Sequence, residues 1–399
     1  MGEMARQAGA TVDLPPEQLR EAAVALASKF RDQSDSIEAA RRIPAALSEH
    51  MASAGFYRLG APRHVGGLES PPALSSEIFE TLAAGDASCA WVSFIAATSG
   101  AALAAIPTEA AQAIFNSPET MMTGVFAPMG KAEKVAGGFR VSGRWQWGSG
   151  SQNADWVLAG CRLLEDGEPM LDASGKPRTH MVILPASEIE FIDTWHVSGL
   201  CGTGSLDYAV EDVFVPAEHV VGFLPADQLP EPTALYSFPN FTFLALGIGA
   251  VCMGIARAAI DELVRLAASK RRVGASKTIA EQSPAQVKLA EAEAALRSAR
   301  LFYYDSLAAA WDSALADGAV PIDQRRNLRL ATCHAVSTCT GVVDEMYHLG
   351  GGTAVYQKSP LQRYFRDIHV ANSHIMVAPT ILQPIGRLFF GIDDDAPTL

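Results

Sequence analysis

The sequence predicts an α+β protein that is mostly α: a helical N-terminal part (1–118), a small β unit (119–230) and a helical bundle (231–399). Three observations predict this order. Apolar residues recur at helical spacing in the first and last parts. Between them lie short runs rich in Val, Phe and Trp, separated by turn clusters of Gly, Asp and Pro. Two long stretches, Ala87 to Thr108 and Pro232 to Ala256, contain no charged residue.

In the first part, Leu19, Ala22, Ala23, Leu26 and Phe30 share one helical face. Pro44 suits the first turn of a second helix that carries Leu47 and Met51 and stops near Gly55. Pro62 to Gly67 reads as a loop, and a third helix leads through Asp86–Trp91 into the first uncharged stretch. Both uncharged stretches have the roughly 20 residues that cross a bilayer. However, Ser88, Ser93, Thr98, Ser99 and Gly100 interrupt the first, and Ser237, Pro239, Asn240 and Thr242 the second. Buried helices, apolar all round, are therefore expected rather than membrane spans.

In the β unit, Gly137-Gly138 marks a hairpin within Val135 to Trp147. Further strands are expected at His180–Leu184 and Ala209–Val215. On simple alternation the last puts Ala209, Glu211, Val213 and Val215 on one face and Val210, Asp212 and Phe214 on the other. In the bundle, Leu289, Ala292, Leu296, Ala299, Tyr303 and Leu307 form one stripe. Leu328, Ala331, Ala335, Val342, Met346 and Leu349 form another, and the chain breaks at Ala314–Pro321.

Charged residues make up 19% of the 399, and the net charge of −13 comes with no basic, aromatic-laced patch, so no nucleic-acid partner is expected. Six cysteines without a C-x-x-C pair suggest no disulfide framework, and nine histidines without H-E-x-x-H spacing suggest no metal. Met1–Arg6 lacks the apolar region of a signal peptide, and Arg6 breaks the myristoylation pattern, so a cytoplasmic location is expected.

Three segments offer chemistry. Gly143-Arg144-Trp145-Gln146-Trp147-Gly148-Ser149-Gly150-Ser151 brings two tryptophans to a turn where backbone can approach a planar ligand closely. Gly199-Leu200-Cys201-Gly202-Thr203-Gly204-Ser205 can present N–H groups and hydroxyls to phosphate or flavin edges. Gly350-Gly351-Gly352 precedes Ser359–Asp367, where Arg366-Asp367 is expected to begin a helix with His374 two turns on, a natural general base near neutral pH. By themselves these read more readily as core tryptophans, a plain loop and a structural histidine.

In this order, the G-R-W-x-W-x-S-G turn, the G-T-G-S loop before a strand ending Val215-Pro216, and the L-Q-R-x-x-R-D helix resemble the acyl-CoA dehydrogenase superfamily over nearly the whole chain. The resemblance implies a central β-barrel or sandwich domain and a C-terminal four-helix bundle. Within the superfamily the chain is more similar to the two-component flavin-dependent monooxygenases. Dehydrogenases abstract an α-proton with a Glu, and neither place where they keep it holds a carboxylate here: Asn372–Val377 has His374, and Phe241–Ala245 has none. The dehydrogenases' Gln before the glycine pair corresponds to Tyr347.

The resemblance implies an oxygenase component that uses reduced FMN or FAD, supplied by a separate flavin reductase, and O2. Through a C4a-hydroperoxyflavin it would hydroxylate a small aromatic or heteroatom substrate. It implies catalytic roles for His374 and Ser149, with Ser149 at N5 or O4 of the flavin. Phe126, Ala127 and Trp147 would lie against the isoalloxazine, and Thr203 or Ser205 at the ribityl-phosphate end. Arg271, Gly351 and Gly352 would reach it across a subunit contact in a homotetramer. Trp91 would line the substrate cavity beside His374, whereas Gln286 and His369 would be structural. An atypical desaturase using His374 as base, or a non-catalytic scaffold, are the alternative readings.

Overall fold

The computed structural model describes residues 14–222, 229–230 and 232–392. Met1–Arg6 lies outside them. Five helices come first: α1 (Pro16–Ala40), α2 (Ala45–Ser53), α3 (Pro72–Ala83), α4 (Ala87–Gly100) and α5 (Thr108–Ile114). Eight strands follow: β1 (Met122–Val135), β2 (Gly138–Gly148), β3 (Trp156–Glu165), β4 (Glu168–Pro169), β5 (Thr179–Pro185), β6 (Glu190–Ile192), β7 (Leu206–Pro216) and β8 (Val220–Val221). The chain returns to helix in α6 (Asn240–Ala267), α7 (Ser283–Asp317), α8 (Ile322–Gly350), α9 (Pro360–Asn372) and the short α10 (Leu382–Phe389).

The two uncharged stretches become α4 and α6. Every residue of α4 is buried. By length and composition the helical spans Ala87–Ala105 and Phe241–Ala267 could cross a membrane, but each is 89% buried inside the protein. They are its core helices. Asp86 starts α4 by accepting the N–H groups of Ser88 (2.9 Å) and Cys89 (3.1 Å), which satisfies two of the free donors of a helix start. Small residues let α6 come close to its neighbours: a Cβ on Gly247 would sit 2.6 Å from the Phe94 ring.

The strands form one mixed sheet in the order β6-β7-β2-β1-β3-β5-β8, with β4 on β3. β1 and β3 run parallel, and the β1–β2 hairpin turns at Val135↔Gly138. The sheet curls on itself. Trp145 of β2 donates to Gly160 O (2.7 Å) and Tyr208 of β7 to Leu158 O (2.7 Å), both on β3. The two rings stack 5.3 Å apart, and their polar atoms are satisfied inside the core.

Simple alternation fails in β7. Asp212 takes φ 53° and the β2–β7 register shifts between Val141 and Gly143, a β-bulge. The extra residue moves Tyr208 and Val210 onto the buried side ahead of the bulge, and Val215 follows beyond it, while Glu211 and Phe214 are exposed.

Candidate active site

The site is built where α4, the end of β2 and the loop before β7 converge. Trp145 and Trp147 are two apart on β2 and would share a face if the strand stayed regular. Instead Trp147 has φ 68°, the register with β7 shifts between Trp145 and Gly148, and its indole is 64% exposed, whereas Trp145 is fully buried. The turn that follows carries Ser149 inward.

Ser149 is buried and sits in a chain of hydrogen bonds. Trp91 Nε1–H of α4 donates to its Oγ at 3.1 Å. Its Oγ is 2.7 Å from Ser205 Oγ, which is 2.7 Å from Thr203 Oγ1. Thr203 donates to Leu200 O at 2.8 Å. A hydroxyl has one proton, so the last bond sets the direction of the others. Thr203 gives its proton to Leu200, Ser205 gives its own to Thr203, and Ser149 gives its own to Ser205. Ser149 Oγ then accepts from Trp91 and has one lone pair left.

The loop carrying Thr203 and Ser205 is held from below by α9. Asp367 accepts the Leu200 N–H at 2.6 Å, and Arg366 reaches both Glu38 of α1 (2.7 Å) and the carbonyl of Ser198. The Arg-Asp pair therefore tethers this loop. It lies inside α9 rather than opening it, because Pro360 supplies the first turn. Burial pushes the Asp367 carboxyl up to about 7, outweighing the Leu200 N–H bond, and the nearby Asp86 carboxylate adds to the rise.

His374 lies beyond the end of α9, not on the helix. It caps a short turn, Ile375–Val377, with Nδ1 accepting the Met376 N–H at 3.2 Å. That bond leaves the proton of a neutral ring on Nε2. Burial, then the charge of Arg329, hold its pKa down at about 4. Its ring is 5.9 Å from that of Trp91. Trp91 thus touches both the hydroxyl chain and His374.

Phe126 and Ala127 belong to an irregular stretch of β1, where the register with β3 shifts between Val125 and Gly130. Their carbonyls would lie within 2.5 Å of a Cβ on Gly160, so only glycine there admits the bulge. Phe126 is partly buried against Phe241 of α6, with ring centroids 6.2 Å apart, and Ala127 is exposed.

Arg271, Gly351 and Gly352 are exposed and form a second locus. Lys270 donates to Gly350 O at 3.2 Å, which ties their two turns together. Among the described residues no hydrogen bond joins them to the Ser149 cluster. Gln286 holds Ala280 O at 2.9 Å, His369 pairs with Asp344 at 2.8 Å, and Tyr347 stacks on Phe365 with centroids 4.6 Å apart.

One residue carries no sequence signal. Arg329 of α8 is fully buried, yet it sits in a run with Arg325 and Arg326 that reads as solvated surface.

Residues 16–115 match the family described as "Acyl-CoA dehydrogenase, N-terminal domain", and residues 246–379 match "Acyl-CoA dehydrogenase, C-terminal domain". The chain is 38% identical over 338 residues to the indole-3-acetate monooxygenase of Pseudomonas putida, covering 84% of each. It is 30% identical over 358 residues to the flavin-dependent monooxygenase oxygenase subunit HsaA of Rhodococcus jostii, covering 88% of this chain and 92% of that one. This chain belongs to the flavin-dependent monooxygenases of the acyl-CoA dehydrogenase fold. A solved structure of that fold, XiaF from Streptomyces in complex with FADH2 and glycerol, superimposes with a TM-score of 0.87 at 26% identity, covering 96% of this chain and 98% of that one. In a monooxygenase the absence of carboxylate from Asn372–Val377 and from Phe241–Ala245 is expected, since no α-proton is abstracted. The remaining lone pair of Ser149 and the exposed indole of Trp147, two residues before it, are chemically suited to the polar edge and flat face of a flavin ring.

Proposed function

We propose that this monooxygenase receives reduced FMN or FAD from a separate flavin reductase and hydroxylates a small aromatic or heteroatom-bearing substrate, as the oxygenase half of a two-component system. The direction of the hydroxyl chain carries the reading. Ser149 has committed its only proton to Ser205, so toward a ligand it accepts and does not donate. Reduced flavin bears a hydrogen on N5 and oxidised flavin does not, so a Ser149 of this polarity suits the reduced form. When bound, reduced flavin supplies the electrons that activate O2.

The chain's own residues do the rest. Trp147, Phe126 and Ala127 offer apolar surface to the ring. Thr203 and Ser205 orient the Ser149 hydroxyl. The uncharged walls of α4 and of α6 up to Ala256 exclude water. His374, neutral and carrying its proton on Nε2, donates to substrate or to the oxygen being transferred. A ring whose pKa is near 4 and whose Nδ1 is occupied is a better donor than base. Arg271, Gly351 and Gly352 meet the phosphate-bearing end of the flavin from a neighbouring subunit of a homotetramer. Their joint exposure on tied turns supports that assignment. Six buried, unpaired cysteines support a reducing, cytoplasmic setting.

Two variants test this. His374→Ala should keep oxidising reduced flavin while product falls and H2O2 rises in proportion; an unchanged product yield removes His374 from the mechanism. Ser205→Ala should free the Ser149 proton and shift the ratio of affinities for oxidised over reduced flavin up to about tenfold toward the oxidised form, the worth of one hydrogen bond. An unchanged ratio sinks the polarity argument.

A further inference from the structure

Arg329 has 0% exposure, and none of its three guanidinium nitrogens has a hydrogen-bond partner among the described residues. That is unusual, because buried charge is ordinarily paired and five N–H donors are otherwise left empty. Arg58, the comparable buried arginine of the N-terminal part, donates to Gly66 O at 3.1 Å. Burial lowers the Arg329 pKa only to about 10, so the group stays charged at neutral pH.

Its position on α8 says where the charge lies. Thr332, three residues on, faces α6, lying 3.2 Å from where a Cβ on Gly249 would be. Cys333, four residues on, packs with Ile381 and Ile385. Residues three and four apart are stacked on a helix face, and side chains lean toward its N-terminus. Arg329 therefore occupies the wedge between α6 and the segment joining α9 to α10. That segment includes the His374 turn, which packs against both α6 and α8. The Arg329 charge is close enough to disfavour protonation of His374.

We propose that Arg329 is the anchor for an anionic group on the substrate, a carboxylate, so that this monooxygenase takes an aromatic acid and holds its acid end on α8 with the ring toward His374 and Trp91. The inference rests on the aromatic-substrate reading above and narrows it. A carboxylate matches a guanidinium with two parallel N–H···O bonds and neutralises the charge that folding left unpaired. A neutral phenol would leave most of those donors empty.

The test uses the full chain loaded with reduced flavin under anaerobic conditions, with indole-3-acetate and its neutral amide as probes in calorimetric titrations. The wild type should bind the acid about 10- to 100-fold more tightly than the amide, the range of a charge-assisted pair. Arg329→Met should bind both alike, by losing affinity for the acid alone, and Arg329→Lys should restore part of the preference. Equal affinities in the wild type, no binding of the acid, or an unchanged preference in Arg329→Met each overturn the proposal. The wild-type comparison stands even if a variant folds poorly. Admitting O2 separates this proposal from the one beneath it. Oxygenated product without an Arg329-dependent preference leaves the oxygenase reading standing and removes the anchor. An Arg329-dependent preference with no oxygenated product from either probe does the reverse.

Discussion

Two neighbourhoods, the hydroxyl chain that Trp91 touches and the buried Arg329 near His374, are built on opposite principles. On the side of β2 and the Gly199–Ser205 loop, every hydroxyl is partnered: Ser149, Ser205 and Thr203 form a directed chain that ends on Leu200 O. On the side of α8, Arg329 is buried with all three nitrogens unpartnered among the described residues. A fully satisfied network is rigid and holds one geometry before any ligand arrives. An unsatisfied charge costs stability in the empty protein and gains only when an anion enters. The contrast means that the first side is pre-organised, whereas the second would recover part of the cost of its buried charge only on meeting an anion.

The largest effect should come from Trp91, which touches both the hydroxyl chain and the His374 ring. Trp91→Ala removes a buried ring that packs on Phe94 (4.8 Å between centroids), lies near His374 and donates to Ser149. It should destabilise the protein by about 3–5 kcal/mol in denaturant titrations. A loss below about 1 kcal/mol would mean that the ring is not packed as these contacts describe. Next is Arg329→Met. Replacing an unpaired buried cation by an apolar chain of similar length should raise stability in the absence of ligand by about 1–4 kcal/mol. A loss of stability instead would show that Arg329 is structurally satisfied and would erase the contrast.

Much of this was legible in the sequence, for physical reasons that differ by element. The helical stripes of α7 and α8 were visible because burial has to repeat with the helix period: Ala292, Leu296, Ala299, Tyr303 and Leu307 are all buried. Both uncharged stretches were visible as interior helices because polar but uncharged residues punctuate them. Ser149, Thr203, Ser205 and His374 were visible through motifs. What was hidden depends on single backbone torsions or on contacts distant in sequence. The bulge at Asp212 and the positive φ of Trp147 each reverse a face without altering composition. The Trp91–Ser149 bond joins residues 58 apart. Arg329 was hidden because an arginine after Arg325 and Arg326 reads as surface, and only packing reveals that it turned inward. Pro360 was an overlooked local signal, since it places the start of α9 before Arg366-Asp367.

Smaller effects follow from the two groups with opposed titrations. Asp367 keeps its proton up to about 7 in the fold and loses it near 4 when unfolded, so between those values the native state binds more protons and stability falls as pH rises. His374 stays unprotonated down to about 4 in the fold but takes a proton near 6.5 when unfolded, so over that window stability rises with pH. Each slope is at most about 1.4 kcal/mol per pH unit, and between roughly 4.5 and 6 they offset each other. Relative to the wild type, Asp367→Asn keeps an acceptor for Leu200 N–H and should make stability climb more steeply with pH across that window. His374→Gln should make it fall more steeply. Urea titrations at pH 4.5, 5.5 and 6.5 read both signs, and slopes that change in the same direction would refute the assignment.

The smallest effect separates the two histidines at the end of α9. His369 pairs with Asp344 at 2.8 Å, but its side chain is 43% exposed, and an ion pair so hydrated is worth little. His374, five residues on, has no ion-pair partner among the described residues and is held neutral by burial and the Arg329 charge, with its ring near Trp91. His369→Gln should therefore change stability by no more than about 0.5 kcal/mol and leave the ratio of product to H2O2 unchanged. His374→Gln should leave global stability near neutral pH almost as it was while shifting that ratio toward H2O2. If His369→Gln moves the ratio as far as His374→Gln does, the acceptor that matters is the α8–α9 ion pair. The functional boundary of the pocket would then extend out to Asp344 rather than stopping at the capped turn.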